Sequence, residues 1–272
     1  MYADIQNMAH FTARSQLMSR YGMIGDEEQV VVRTEFDVDV PGGVSNRTAL
    51  GERSFHESAI RYNKLLESVR LMRLFTGSAL DVPAQFWFAM DGSRYIPTMY
   101  GSGEPPLQGT PFSITSAELP ALAALLNGAR LPFGRAHLDQ AVEIADLTAR
   151  ALRPSLAIAT STLALLALLG DEGDHEAWRM RIGPAALLAH DGAEYLTIRE
   201  EMRRIYDLRC RALHVPDPAV GTWRDVESLR GLLSRSILAA SHLAGEKDDL
   251  LRILEERATG YGDAIPTRPT RG

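Results

Sequence analysis

The chain has 272 residues, 45% of them hydrophobic and 24% charged, with a net charge of −6 at neutral pH. That composition excludes a collagen, a disordered tail and a coiled-coil rod. An acidic chain does not coat nucleic acid with its whole surface, so any such contact needs a local basic patch.

Cys210 is the only cysteine, which rules out an intrachain disulfide and a thiolate zinc site. A reducing compartment follows, and cytoplasm is the expected location. The opening residues carry no basic stretch followed by an apolar one, so no signal peptide is expected.

In chain order, Gln29–Val40 alternates Phe36, Val38 and Val40 with Glu35, Asp37 and Asp39, the period of a half-buried strand. Pro41-Gly42-Gly43 ends it. Ser54–Phe75 has helical spacing, a capping pair in Ser54 and Glu57, and a stop at Gly77. Two aromatic-rich stretches, from Pro83 and from Arg94, flank Asp91-Gly92 and predict a hairpin or two short strands. Gly101–Pro111 holds three Gly and three Pro and predicts a loop.

From Ser116 the pattern is helical. Thr115 and Glu118 suit a capping box for a helix that ends near Asn127-Gly128. Further helices are expected at Arg135–Leu152, Ser155–Leu169, Glu172–Ala189, Ala193–His214, Thr222–Gly245 and Lys247–Thr259, with a breaker at each joint. The uncharged run between Arg153 and Asp171 is rich in hydroxyls and short of the roughly 20 residues of a membrane span, so a buried helix is expected there. The whole predicts an α+β chain. A mixed region with a few strands and a helix fills residues 1–130, with its boundary inside Gly101–Gly134. An all-α helical bundle follows over 131–260, then a disordered tail over 261–272.

The segment that carries chemistry is Ala193–Pro218. Ile198, Met202, Ile205 and Arg209 share one helical stripe, which aligns a guanidinium with the core-facing residues. Between Arg199 and Arg211 alone, Arg199, Arg203, Arg204, Arg209 and Arg211 outnumber Glu200, Glu201 and Asp207, a short basic island in an acidic chain. Pro216 disfavours helix at Val215, so the helix should loosen near His214.

Ile205-Tyr206-Asp207-Leu208-Arg209-Cys210-Arg211-Ala212-Leu213-His214 resembles the LYDLRSKIVHG signature of the Apea-like HEPN domain, the higher eukaryotes and prokaryotes nucleotide-binding family. The resemblance spans roughly Leu138 to Gly245. It also takes in the apolar helix Leu156–Leu169, the acidic turn Gly170–Asp174 and Arg181-Ile182 leading into Ala185–Leu188. It implies a HEPN-like helical bundle that dimerises, with the signature helices facing each other across a cleft. It also implies a metal-independent endoribonuclease with Arg209 and His214 as catalytic residues, Tyr206 in support and RNA as partner. A role in phage defence or as a toxin, and a regulatory protein partner, follow by the same analogy. Three positions depart from the pattern. Cys210 follows the arginine, Val215-Pro216 follows the histidine, and Ala159–Leu163 brings no acid to the earlier helix.

The chemistry such residues perform needs no metal or cofactor. RNA supplies its own nucleophile, the 2′-hydroxyl. A histidine titrating near pH 6.5 moves a proton, and an arginine steadies the charge growing on phosphorus. Arg203, Arg204 and Arg211 are candidates to hold flanking phosphates.

Each residue also has a plain structural role open to it. Arg209 can pair with an acid on a neighbouring helix, and His214 can serve as a helix C-terminal cation. Tyr206 can be a half-buried core aromatic, and Cys210 an inert thiol. Arg203 and Arg204 can pair with Glu200 and Glu201. The alternatives to a nuclease are therefore a non-catalytic HEPN module that binds RNA, nucleotide or a protein, and a helical adaptor. No metal-binding histidine spacing, phosphate loop or nucleophile elbow is present.

Overall fold

The computed structural model describes residues 60, 63–64, 66–78, 80, 84–91, 94–101, 112–170, 175–214, 220–243 and 245–263. The strand expected at Gln29–Val40, the start of the Ser54 helix and most of the Gly101–Pro111 loop lie outside them. The chain divides into two compact units, Met1–Leu65 and Leu66–Gly272. Every element named below belongs to the second.

Helix α1 is described over 66–76 and stops at Gly77, whose φ of +67° only glycine adopts cheaply. Strands β1 (Ala84–Asp91) and β2 (Arg94–Gly101) pair as an antiparallel hairpin. Seven helices follow: α2 (Leu119–Gly128), α3 (Ala136–Thr148), α4 (Pro154–Leu169), α5 (Glu176–Leu188), α6 (Gly192–His214), α7 (Trp223–His242) and α8 (Lys247–Gly260).

The predicted α+β class is corrected by this architecture. Apart from one hairpin, the regular structure of the described residues is all helical. The hairpin is the only β element among the described residues, and its two strands join no larger sheet. Two strands alone make no layer against which helices can pack, so they do not define a class. Helix α1, assigned above to the N-terminal region, packs with the helices. Leu74 sits in the common core, and Arg73 pairs with Asp146 of α3.

Local chemistry explains the helix limits. Pro154 opens α4, where its missing N–H costs nothing, and Gly170 ends it. Thr222 and Asp225 form a reciprocal capping box at the start of α7. At the end of α8, Gly262 adopts φ +89°. The Asp263 N–H then reaches the Ala258 carbonyl at 2.9 Å and the Gly262 N–H reaches the Thr259 carbonyl at 3.0 Å, a Schellman closure.

The core gathers Leu138, Ile158, Leu165, Leu168, Met180, Met202, Ile205, Leu229 and Ile237, all fully buried. α6 contributes Tyr195, Ile198, Met202 and Ile205, the stripe expected from the 3.6-residue period. The predicted disordered tail begins too early. Tyr261 stacks on Tyr195 at 4.4 Å between centroids, and Asp263 accepts hydrogen bonds from Tyr195 at 2.8 Å and from Arg199 at 2.6 Å. An aromatic and a carboxylate with ready partners hold residues 261–263 in place.

Candidate functional site

Arg209 continues the buried stripe of α6 one turn beyond Ile205, and its side chain is 18% exposed. A guanidinium at such a position needs a countercharge. Glu176, in the first turn of α5, supplies it: its Oε1 lies 2.8 Å from Arg209 Nη2. That carboxylate is 46% exposed, so the pair opens to solvent and is not sealed in the core.

Tyr206 lies one turn before Arg209. Its ring takes two guanidinium carbons, that of Arg209 at 5.6 Å and that of Arg181 at 6.0 Å from the centroid. Both distances suit a cation–π contact. Arg181 is steadied by its own helix, with Nε donating to the Ala177 carbonyl at 2.9 Å. Burial pushes the Tyr206 phenol above its ordinary value, and the neighbouring Cys210 adds to this while Arg209 opposes it. Tyr206 therefore stays neutral near pH 7 and acts as a platform or hydroxyl donor.

His214 is the last residue of α6 and is exposed. Five residues of regular helix set its direction about 140° from that of Arg209. The two side chains leave α6 on different sides, and the helix end alone does not converge them. The loosening expected at Val215–Pro218 lies outside the described residues.

The candidate phosphate contacts divide. Arg203 pairs with Glu200 at 3.2 Å on an open face. Arg204 reaches Glu201 at 2.8 Å and also Asp225 of the α7 capping box. Glu201 accepts in addition from Ser228 at 2.8 Å, and the Arg204 hydrogen bond holds its carboxyl below the ordinary range despite burial. Arg204 thus ties α6 to α7. Arg211 is exposed and makes no ion pair among the described residues.

The chain matches no family model, no curated protein and no solved structure.

Sequence reasoning missed two members of the cluster. Glu176 stands just after the acidic turn, a local charge signal, but nothing in the sequence aims it at Arg209. Arg181 was noticed only as part of the framework. Together Arg181, Tyr206, Arg209 and Glu176 make a cationic platform with one solvent-facing carboxylate. A phosphate oxygen accepts from a guanidinium as a carboxylate does, so the donor set of Arg209 is also that of a phosphate ligand. Among the described residues no three His, Cys, Asp or Glu side chains group to hold a metal ion, and no helix is long and apolar enough to cross a membrane.

Proposed function

We propose that the helical unit is a HEPN-type endoribonuclease that cleaves RNA without a metal, through attack of the 2′-hydroxyl on the adjacent phosphate. The observation that carries this reading is the half-buried Arg209 guanidinium, 5.6 Å over the Tyr206 ring and balanced by a single solvent-facing carboxylate, on the helix that ends in the exposed His214. In this reading Arg209 binds the scissile phosphate and steadies the charge of the pentavalent state. His214 transfers the proton, and Tyr206 fixes the plane of the guanidinium. The directions of Arg209 and His214 along α6 favour a site completed by a second copy, with the arginine of one chain meeting the histidine of its partner. Arg211, and after it Arg203, hold flanking phosphates; a role in phage defence or as a toxin belongs to the same proposal.

The test is incubation of the full chain with RNA in EDTA. Cleavage that persists under chelation and disappears in both Arg209→Ala and His214→Ala supports the reading. Retention of RNA without cleavage supports the second reading, a non-catalytic module, which the existing Arg209–Glu176 pair favours. Failure to retain RNA at any salt concentration leaves a helical adaptor.

A further inference from the structure

α5 sends two arginines to two different neighbours. Arg179 and Arg181 are two residues apart, which on a regular helix sets their directions about 200° apart. Arg179 pairs with Glu255 of α8 at 2.9 Å. Arg181 turns to α6, where its guanidinium carbon lies 6.0 Å from the centre of the Tyr206 ring. Its Nε is held by the Ala177 carbonyl at 2.9 Å, which leaves the two Nη groups as donors.

Arg181 is half-buried and makes no ion pair among the described residues. The carboxylates that pair at α5 are engaged by other arginines, Glu255 by Arg179 and Glu176 by Arg209. The ring of Tyr206 attracts a cation but cancels no charge. The cluster therefore holds two guanidiniums against one carboxylate, and a bound anion would offset the excess.

We propose that Arg181 binds the phosphate next to the one that Arg209 takes, so that the ligand is one RNA strand with consecutive phosphates. The two guanidiniums come from different helices, and both lie within 6.0 Å of one ring centre, so a strand that passes the ring meets them in succession. Arginine suits the task, since its planar donors take phosphate oxygens in pairs. Arg211 leaves α6 about 200° from Arg209 and serves phosphates further along the strand. RNA as the ligand rests on the ribonuclease reading; the second phosphate contact goes beyond it.

The test is equilibrium binding of the full chain to a single-stranded RNA oligonucleotide with 2′-O-methyl sugars, which the 2′-hydroxyl route cannot cut, in EDTA across a salt series. Arg181→Gln should weaken binding about tenfold, the worth of one charge-assisted contact, and lower the slope of log affinity on log salt by about 0.7. Arg181→Lys should restore the slope, which a purely structural role for the side chain would not do. Arg252→Gln, at an exposed arginine paired within its own helix, should leave affinity and slope unchanged. If Arg181→Gln does not fold, Arg181→Met, whose flexible side chain keeps the packing on Tyr206, is read in its place with the same expectation. Unchanged affinity and slope without Arg181, no recovery in Arg181→Lys, or an equal loss in Arg252→Gln would each overturn the proposal and leave metal-free cleavage standing. Failure of the wild type to cleave unmodified RNA, with the Arg181-dependent slope present, would overturn the ribonuclease reading alone. Absence of wild-type binding would overturn both.

Discussion

The two ends of α6 use the same residue types for opposite purposes. Near the start, Arg199 and Tyr195 both donate to Asp263, and Tyr261 stacks on Tyr195. Tyr195 is 1% exposed, and burial holds its phenol well above the ordinary value. Near the end, Arg209 and Arg181 both lie over the Tyr206 ring, and Arg209 meets one half-exposed carboxylate, with an exposed imidazole beyond. At the first end the phenol and the guanidinium share one acceptor, and the acid closes a clamp. At the second the phenol takes no part in the ion pair, and the acid faces solvent. Similar residues therefore give a closed clamp at one end and a half-open ion pair at the other, and the difference lies in what the carboxylate also holds.

The sharpest break of this comparison is a pair of matched substitutions. Arg209→Ala should lower RNA cleavage by about 10²–10³, the cost of losing a donor to a developing oxyanion. Arg199→Ala should leave the cleavage rate unchanged, because its partner lies at the clamp. Initial rates on one RNA, with unfolding curves of both variants, check this.

Next in size, Tyr195→Phe should cost about 1 kcal/mol of stability, the net worth of one hydrogen bond, with unaltered cleavage. Denaturant titration at unchanged slope reads it. A loss of activity instead would mean that the clamp and the surface are coupled along the helix.

Much of this was legible in the sequence and some of it was not. The 3.6-residue stripe of Ile198, Met202 and Ile205 identified α6 and its buried face, because that periodicity is written locally. The same stripe singled out Arg209. The joints at Pro154, Gly170 and Gly245 were legible for the same reason. Partners across helices were not. Glu176 and Asp263 reach α6 only through the packing of α5 and α8, which no local pattern encodes. The α+β class failed on a related point. Aromatic content reports that a stretch fits a pleated surface, as the hairpin does, and not that a larger sheet exists to receive it. The tail was placed three residues early because the stretch shows no periodicity, whereas Gly262 closes α8 and Asp263 turns back onto α6.

A smaller effect sharpens the second half of the comparison. Glu176→Gln should tighten RNA retention by about threefold, since the competing carboxylate is removed and the Arg209 charge remains. Filter binding at two salt concentrations measures it. Unchanged affinity would show that Glu176 does not compete for the site.

The smallest effect is a pH slope from outside both ends. His137 is 6% exposed, and burial first, with Arg135 and Lys247 next, holds its pKa below the ordinary value of 6.5. The unfolded chain then binds the proton more readily than the folded one. This contribution is fully present above pH 6.5 and declines as pH falls from there toward the folded value. His137→Gln should flatten that part of the stability profile while leaving cleavage at neutral pH intact.

The central claim is tested most directly by product analysis in EDTA. A defined RNA oligonucleotide is compared with the same oligonucleotide carrying a single 2′-deoxy sugar at the cut site. The account predicts a 2′,3′-cyclic phosphate and a 5′-hydroxyl from the first, no cut at that link in the second, and neither product from Arg209→Ala or His214→Ala. Cleavage across the deoxy sugar, or full activity in either variant, would contradict it.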